Sequence, residues 1–211
     1  MKGRRPEEYE GLVRTVLLML MLVSAYFIVR GGARFVSSPQ VETKRERPCV
    51  IIDAGHGGVD PGKVSVDGAL EKDINLAIAQ KLQRFLQQQD VDAVLTRQSD
   101  AGLYDENASN KKVQDMKNRV ALIEERQPVL TVSIHQNSYH EEYVHGAQVF
   151  YYANSTKSQE LAEMIQQVMA LELDKDNARK AKANDSYYLL KKTSTPIVIV
   201  EYCVSDRQTG L

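Results

Sequence analysis

Val50-Ile51-Ile52-Asp53-Ala54-Gly55-His56-Gly57-Gly58 decides the fold. Three consecutive branched apolar residues show no in–out alternation, so the strand they form is covered on both faces. The run stops abruptly at a glycine-rich turn that carries polar residues. Outward from this point, strand and helix signals alternate. Lys72 to Gln89 places Ile74, Ile78, Leu82, Phe85 and Leu86 on one helical face. Ala93 to Thr96 reads as a second strand, and Asp100 to Lys112, with Gly102 and two asparagines, as a surface loop. Val113 to Arg126 reads as a helix with Val113, Met116, Val120 and Ile123 facing inward. Val129 to Ile134 and Ala147 to Tyr152 are further strands, and Leu161, Met164, Ile165, Val168 and Met169 mark another helix. Ile197 to Val200 is a last, wholly apolar strand. The expected fold is α/β: one domain with a mainly parallel, twisted sheet covered by helices on both faces.

The 211 residues suffice for one such domain and a leader. With 43% hydrophobic and 26% charged residues the chain is core-forming, and a net charge of −1 supplies no field for nucleic acid. Two cysteines, Cys49 and Cys203, fit no zinc knuckle, and a bridge between them requires a proximity that sequence does not reveal. Thr15 to Val29 is apolar throughout, between Arg14 and Arg30; with Leu12 and Val13 it falls slightly under the roughly 20 residues of a comfortable membrane span. A cleaved secretory signal, a buried helix and an uncleaved signal anchor compete. The run has no polar stripe to suit a core helix and is followed by no clear small-x-small site, which favours the anchor. Residues 1–35 are therefore expected to be the anchor, 36–48 a polar, proline-bounded linker, and 49–211 the catalytic domain, outside the membrane. Cleavage of the leader instead makes the protein secreted.

Three apolar strands end in residues suited to metal chemistry: Asp53 to His56 after the first, His135-Gln136-Asn137 after the third, and Glu201 after the last. Glu71 opens the first helix. In open α/β sheets, sites gather beyond the carboxyl ends of strands. A lone glutamate opening a helix ordinarily complements the helix dipole, and glycines beside a histidine can serve a turn alone. A carboxylate ending a buried strand is harder to explain without a partner or a metal. Two histidines and a carboxylate form a common catalytic zinc set that leaves one position open. A further carboxylate is then needed to move a proton from water to the leaving amine. His56, Glu71 and His135 can be the ligands, with Glu201 as the base. His140 and His145 lie in a polar stretch and receive no role.

Asp53-Ala54-Gly55-His56-Gly57-Gly58, Leu70-Glu71-Lys72-Asp73, Thr96-Arg97, Ser133-Ile134-His135-Gln136-Asn137 and Val200-Glu201 together resemble, in order and spacing, the zinc-dependent N-acetylmuramoyl-L-alanine amidases. The resemblance covers Cys49 to Glu201. It implies one Zn2+ on His56, Glu71 and His135, a catalytic Glu201, and hydrolysis of the amide between N-acetylmuramic acid and L-alanine in peptidoglycan. Gly146 to Tyr152 and Ala178 to Lys182 look like the sporulation and germination subtype called CwlD, which implies a short, membrane-anchored chain acting on the spore cortex. Other readings are a zinc peptidase of the stem peptide and a non-catalytic peptidoglycan-binding module. All four site residues are present, which speaks against the binding module. Any activating protein partner is unknown at this level. Arg179, Lys180 and Lys182 are candidates for holding anionic groups, against a solvated surface segment as the bland reading. After Glu201 the family pattern continues into a closing helix, whereas here Tyr-Cys-Val-Ser-Asp-Arg follows and the chain stops at Leu211. That helix is expected to be missing, with one flank of the sheet uncovered.

Overall fold

The structure, a computed structural model, describes residues 47–65, 67–137 and 146–203. The segment expected to be the anchor, nearly all of the linker, His140 and His145, and the stretch after Cys203 lie outside the described residues. No helix among the described residues is long and apolar enough to cross a membrane. The elements run β1 (Cys49–Ala54), α1 (Glu71–Gln88), β2 (Asp92–Leu95), α2 (Lys111–Arg126), β3 (Leu130–Asn137), β4 (Gln148–Tyr151), α3 (Thr156–Glu172), β5 (Lys182–Ala183), α4 (Tyr188–Lys192) and β6 (Ile197–Cys203).

These strands form one sheet in the order β2-β1-β3-β6-β4-β5. From β1 the chain crosses through α1 to β2 on one side, then through α2 to β3 on the other. The helices pack on opposite faces: α1 over Val50, Ile52, Ala54 and Ile134, and α2 over Ile51, Ile197 and Ile199. The crevice between the carboxyl ends of β1 and β3 is thus a topological switch point, where such sheets place their sites. Strand β6 joins on the far side of β3, in a register that pairs His135 with Glu201.

The sheet is mixed. β1–β2, β1–β3, β3–β6 and β4–β5 are parallel, but β4 runs antiparallel to β6, with Gln148 opposite Glu201. The cause is where the chain enters. β3 finishes at the site edge and β4 starts at that same edge, so β4 can only run back.

Local chemistry sets the helix boundaries. Asn110 Oδ1 accepts from the Val113 N–H at 3.0 Å and starts α2 before the expected position; Gln127, in the left-handed region (φ 43°), ends it. Ser155 caps α3 through its hydroxyl. The inward faces differ from expectation at the margins. Ile123 is buried on α2, but Val113 is 47% exposed. On α1 and α3, Ile78, Phe85, Met164 and Val168 stand exposed, while Ala79 and Ala162 are buried. Small residues at the contacts bring both helices close to the sheet. Beneath these helices, Val132 and Val200 are only partly buried.

Registers also settle the cysteines. Val50 stands beside Leu130, and Cys203 beside Asn137, at the other end of the parallel strands. That is roughly 25 Å at ~3.3 Å per residue, far beyond the reach of a disulfide.

Candidate metal centre

The β1 strand delivers His56 through a strained turn. His56 itself is left-handed at φ 63°, a costly conformation for a residue with a Cβ, followed by Gly57 at φ 134°. Gly55 is required for close approach: a Cβ there would lie 2.7 Å from His135 Nδ1 and on top of the imidazole ring. The two histidine rings consequently meet edge to face, centroids 4.9 Å apart. Glu71, first residue of α1, enters from the other side. Its Oε1 lies 3.1 Å from His56 Nε2 and 3.1 Å from His135 Nδ1.

One ligand atom from each of His56, Glu71 and His135 lies within 4.8 Å of the others. A tetrahedral centre with bonds of ~2.1 Å separates its ligand atoms by ~3.4 Å, so two of these separations already approach that value. Two imidazoles and one carboxylate are also a donor set suited to zinc. The residues present fit the ion. Glu71 is prepared for it: Lys63 N–H donates to Oε2 at 2.8 Å and Gln136 N–H to Oε1 at 3.0 Å. Burial pushes the Glu71 carboxyl up, but the two imidazoles and these N–H groups outweigh it and hold it far below the carboxylate range. Burial disfavours charge on His56, yet Glu71 and Asp60 outweigh that effect and raise its pKa.

Glu201 stands beside His135 in the β3–β6 register and lines the same cleft as His56 and His135. Tyr187, Tyr188, Val59 and Met116 add an apolar and aromatic wall, and Lys112 sits at its rim. The phenol of Tyr187 donates to Glu201 Oε1 at 2.5 Å. All four residues expected from sequence therefore reach one edge of the sheet. Arg179, Lys180 and Lys182 lie apart, at and before β5, two strands from β6. Lys180 is tied to that edge, since its carbonyl accepts from Gln148 Nε2 at 2.7 Å and Gln148 pairs with Glu201.

A family described as N-acetylmuramoyl-L-alanine amidase matches residues 50–209. The chain belongs to this family. Among relatives, the germination-specific N-acetylmuramoyl-L-alanine amidase of Bacillus subtilis (strain 168) is 34% identical over 155 residues, 72% of this chain and 65% of that protein. AmiA of Escherichia coli (strain K12) is 29% identical over 164 residues, 77% of this chain and 51% of AmiA. The chain thus spans about half to two thirds of these amidases. Among solved structures, the CwlD amidase of Clostridioides difficile, in complex with the GerS lipoprotein, is 38% identical with a TM-score of 0.72, covering 75% of this chain and 84% of that one. AmiC2 of Nostoc punctiforme is 32% identical with a TM-score of 0.60, covering 72% and 77%.

Beneath the centre of this amidase-family chain lies a buried layer that turns on Arg119, a residue that sequence reasoning did not single out. Asp53, fully buried, receives Arg119 Nη1 at 2.6 Å, the Ser133 hydroxyl at 2.6 Å and the Thr96 hydroxyl at 2.8 Å. Burial raises the Asp53 pKa, but Arg119 and Ser133 outweigh it and keep the carboxyl below its ordinary value. Arg119, 1% exposed, also donates to the Ala54 carbonyl at 2.9 Å, the His56 carbonyl at 2.7 Å and Asp115 Oδ2 at 2.6 Å. Arg97 donates to the carbonyls of Ala54 at 3.0 Å and Gly55 at 3.2 Å. Two guanidinium groups thus hold the backbone that presents His56. Asp60 Oδ2, 3.1 Å from His56 Nδ1, orients the ring from its other nitrogen. The available signal was Arg119 itself, one turn before Ile123 on the inward face of α2.

Proposed function

We propose that this chain hydrolyses the amide between N-acetylmuramic acid and L-alanine in peptidoglycan, with Zn2+ on His56, Glu71 and His135 and with Glu201 as general base. The observation that carries the reading is the convergence of the three ligand atoms within 4.8 Å of one another, with Glu201 beside His135 in the register and lining the same cleft as His56 and His135. Bound zinc supplies Lewis acidity toward a carbonyl and makes water a nucleophile near neutral pH. The chain's own residues do the rest. Glu71 and the histidines hold their donor atoms preset, so that little reorganisation accompanies loading. Glu201 takes the proton from the attacking water and returns it to the amide nitrogen as the carbon–nitrogen bond breaks. The products are the muramic carboxyl and a stem peptide with a free amine. The apolar and aromatic wall of the cleft narrows access for bulk water.

Likeness to the germination-specific relative and to CwlD supports a role in spore-cortex maturation or germination. Peptidoglycan as substrate requires the domain to work outside the cytoplasm, and the apolar run from Thr15 to Val29 supports tethering it to the membrane, with residues 36–48 as linker. CwlD was solved with a lipoprotein, which supports a protein partner on that side of the membrane here too. The test is mass spectrometry of cortex and vegetative muropeptides digested by the zinc-loaded, full-length chain. Loss of intact stem peptides from muramic acid is expected. New ends within the stem would instead make the protein a peptidase, and unchanged muropeptides a binding module.

A further inference from the structure

Tyr187 stands immediately before α4, in a stretch whose sequence offers no catalytic signal. Its placement is fixed from several directions. Asn184 Oδ1 accepts from the Tyr187 N–H at 3.1 Å, and Asn184 N–H donates to the Tyr151 carbonyl at 2.8 Å, tying this turn to β4. On the other side, the next turn of chain buries Leu189 and Leu190 in the core beneath α2. The Tyr187 ring meets Phe150 edge to face, centroids 5.6 Å apart and planes at 87°. Phe150 is itself buried and pairs with Ile199, two residues before Glu201 on β6. Backbone and ring are thus held against the strand that carries the carboxylate, and the phenol donates to Glu201 Oε1 at 2.5 Å.

We propose that Tyr187 is a positioning residue for Glu201, an inference that rests on the reading of Glu201 as the base. A glutamate has three rotatable bonds, and Glu201 stands at a partly open edge of the sheet. A charge-assisted hydrogen bond from a fixed phenol is short and directional, and it ties down one carboxylate oxygen. Because Glu201 lines the cleft, fixing that oxygen helps fix how the carboxylate is presented there through successive turnovers. A base presented in one orientation reacts faster than one that must find it, because the ordering entropy is already spent. The role is specific to the hydroxyl. The ring–ring contact with Phe150 survives its removal, so the positioning function is separable from packing.

The test is Tyr187→Phe in the full-length, zinc-loaded chain acting on isolated muropeptides. We expect kcat to fall by about 10- to 100-fold, the scale of lost partners one layer out from a reacting group, with KM within about twofold. Zinc content and Tm should match the parent. In a Glu201→Gln background, Tyr187→Phe should cost less than about threefold more, because the group it positions can no longer accept the proton. Normal kcat in Tyr187→Phe beside a nearly inactive Glu201→Gln would overturn the positioning role and leave the base in place. Near-normal turnover in Glu201→Gln would instead sink the reading of the base. A raised KM with unchanged kcat would make Tyr187 a substrate contact, a lowered Tm would make it a packing residue, and equal losses in both backgrounds would place its action elsewhere; each overturns the proposal.

Discussion

Arg119→Met should expose how the buried layer supports the metal centre. The side chains of Arg119 and Asp53 are 2% and 0% exposed and meet at 2.6 Å. Methionine fills much of the same space but donates nothing. Asp53 keeps only the Ser133 and Thr96 hydroxyls, and the Ala54 and His56 carbonyls lose a donor. Removing one partner of a buried ion pair costs about 3–5 kcal/mol, because the other charge stays desolvated. For a chain of this size each kcal/mol moves Tm by about 2–4 °C, so calorimetry should show a drop of roughly 6–20 °C. Zinc affinity, read by competition with a chromogenic chelator, should weaken by about 10- to 100-fold as His56 loses its backbone anchor. Arg119→Met combined with Asp53→Asn should recover part of the lost Tm, since the residues interact directly. The stability difference between parent and variant also depends on pH. Asp53 has a lowered pKa in the folded state, so the pair stabilises fully above the ordinary aspartate value of ~3.9 and fades as pH falls through the folded value. The Tm gap should therefore narrow in acid. A Tm within about 2 °C of the parent at pH 7, or a gap that widens on acidification, would refute the reasoning.

Gly55→Ala should fold but bind zinc at least about tenfold more weakly, because its Cβ occupies the space of the His135 ring; elemental analysis and chelator competition read this directly. Glu201→Gln should retain stoichiometric zinc and lose about 10²–10⁴ in turnover. Zinc loss in that variant would make Glu201 a ligand. Replacing Arg179, Lys180 and Lys182 together by alanine should raise KM more than it lowers kcat, given the tie from Lys180 through Gln148 to the strand of Glu201. Unchanged kinetics there would mark the stretch as solvated surface.

Local pattern alone carried a large part of this protein. Val50-Ile51-Ile52 and Ile197 to Val200 are legible as doubly covered strands because burial on both faces leaves no alternation, and the polar residue ending each run marks the site edge. His56, His135 and Glu201 could be picked out for that reason, and because carboxylates and imidazoles at strand ends have few inexpensive structural uses, whereas Glu71, which opens α1, stood out through the Leu70-Glu71-Lys72-Asp73 motif. What needed the tertiary structure are relations between residues distant in the chain. Arg119 follows the inward period of Met116, Val120 and Ile123, yet a charged residue reads as surface until Asp53, 66 residues away, is brought against it. The reversal of β4 depends on the sheet edge at which the chain returns, and the separation of Cys49 from Cys203 on the register of three strands. Tyr187 acquires its role only where α4 packs against β6. Periodicity encodes which face of an element is buried, because burial acts residue by residue; pairing and charge compensation belong to two residues at once, and only folding decides which two meet.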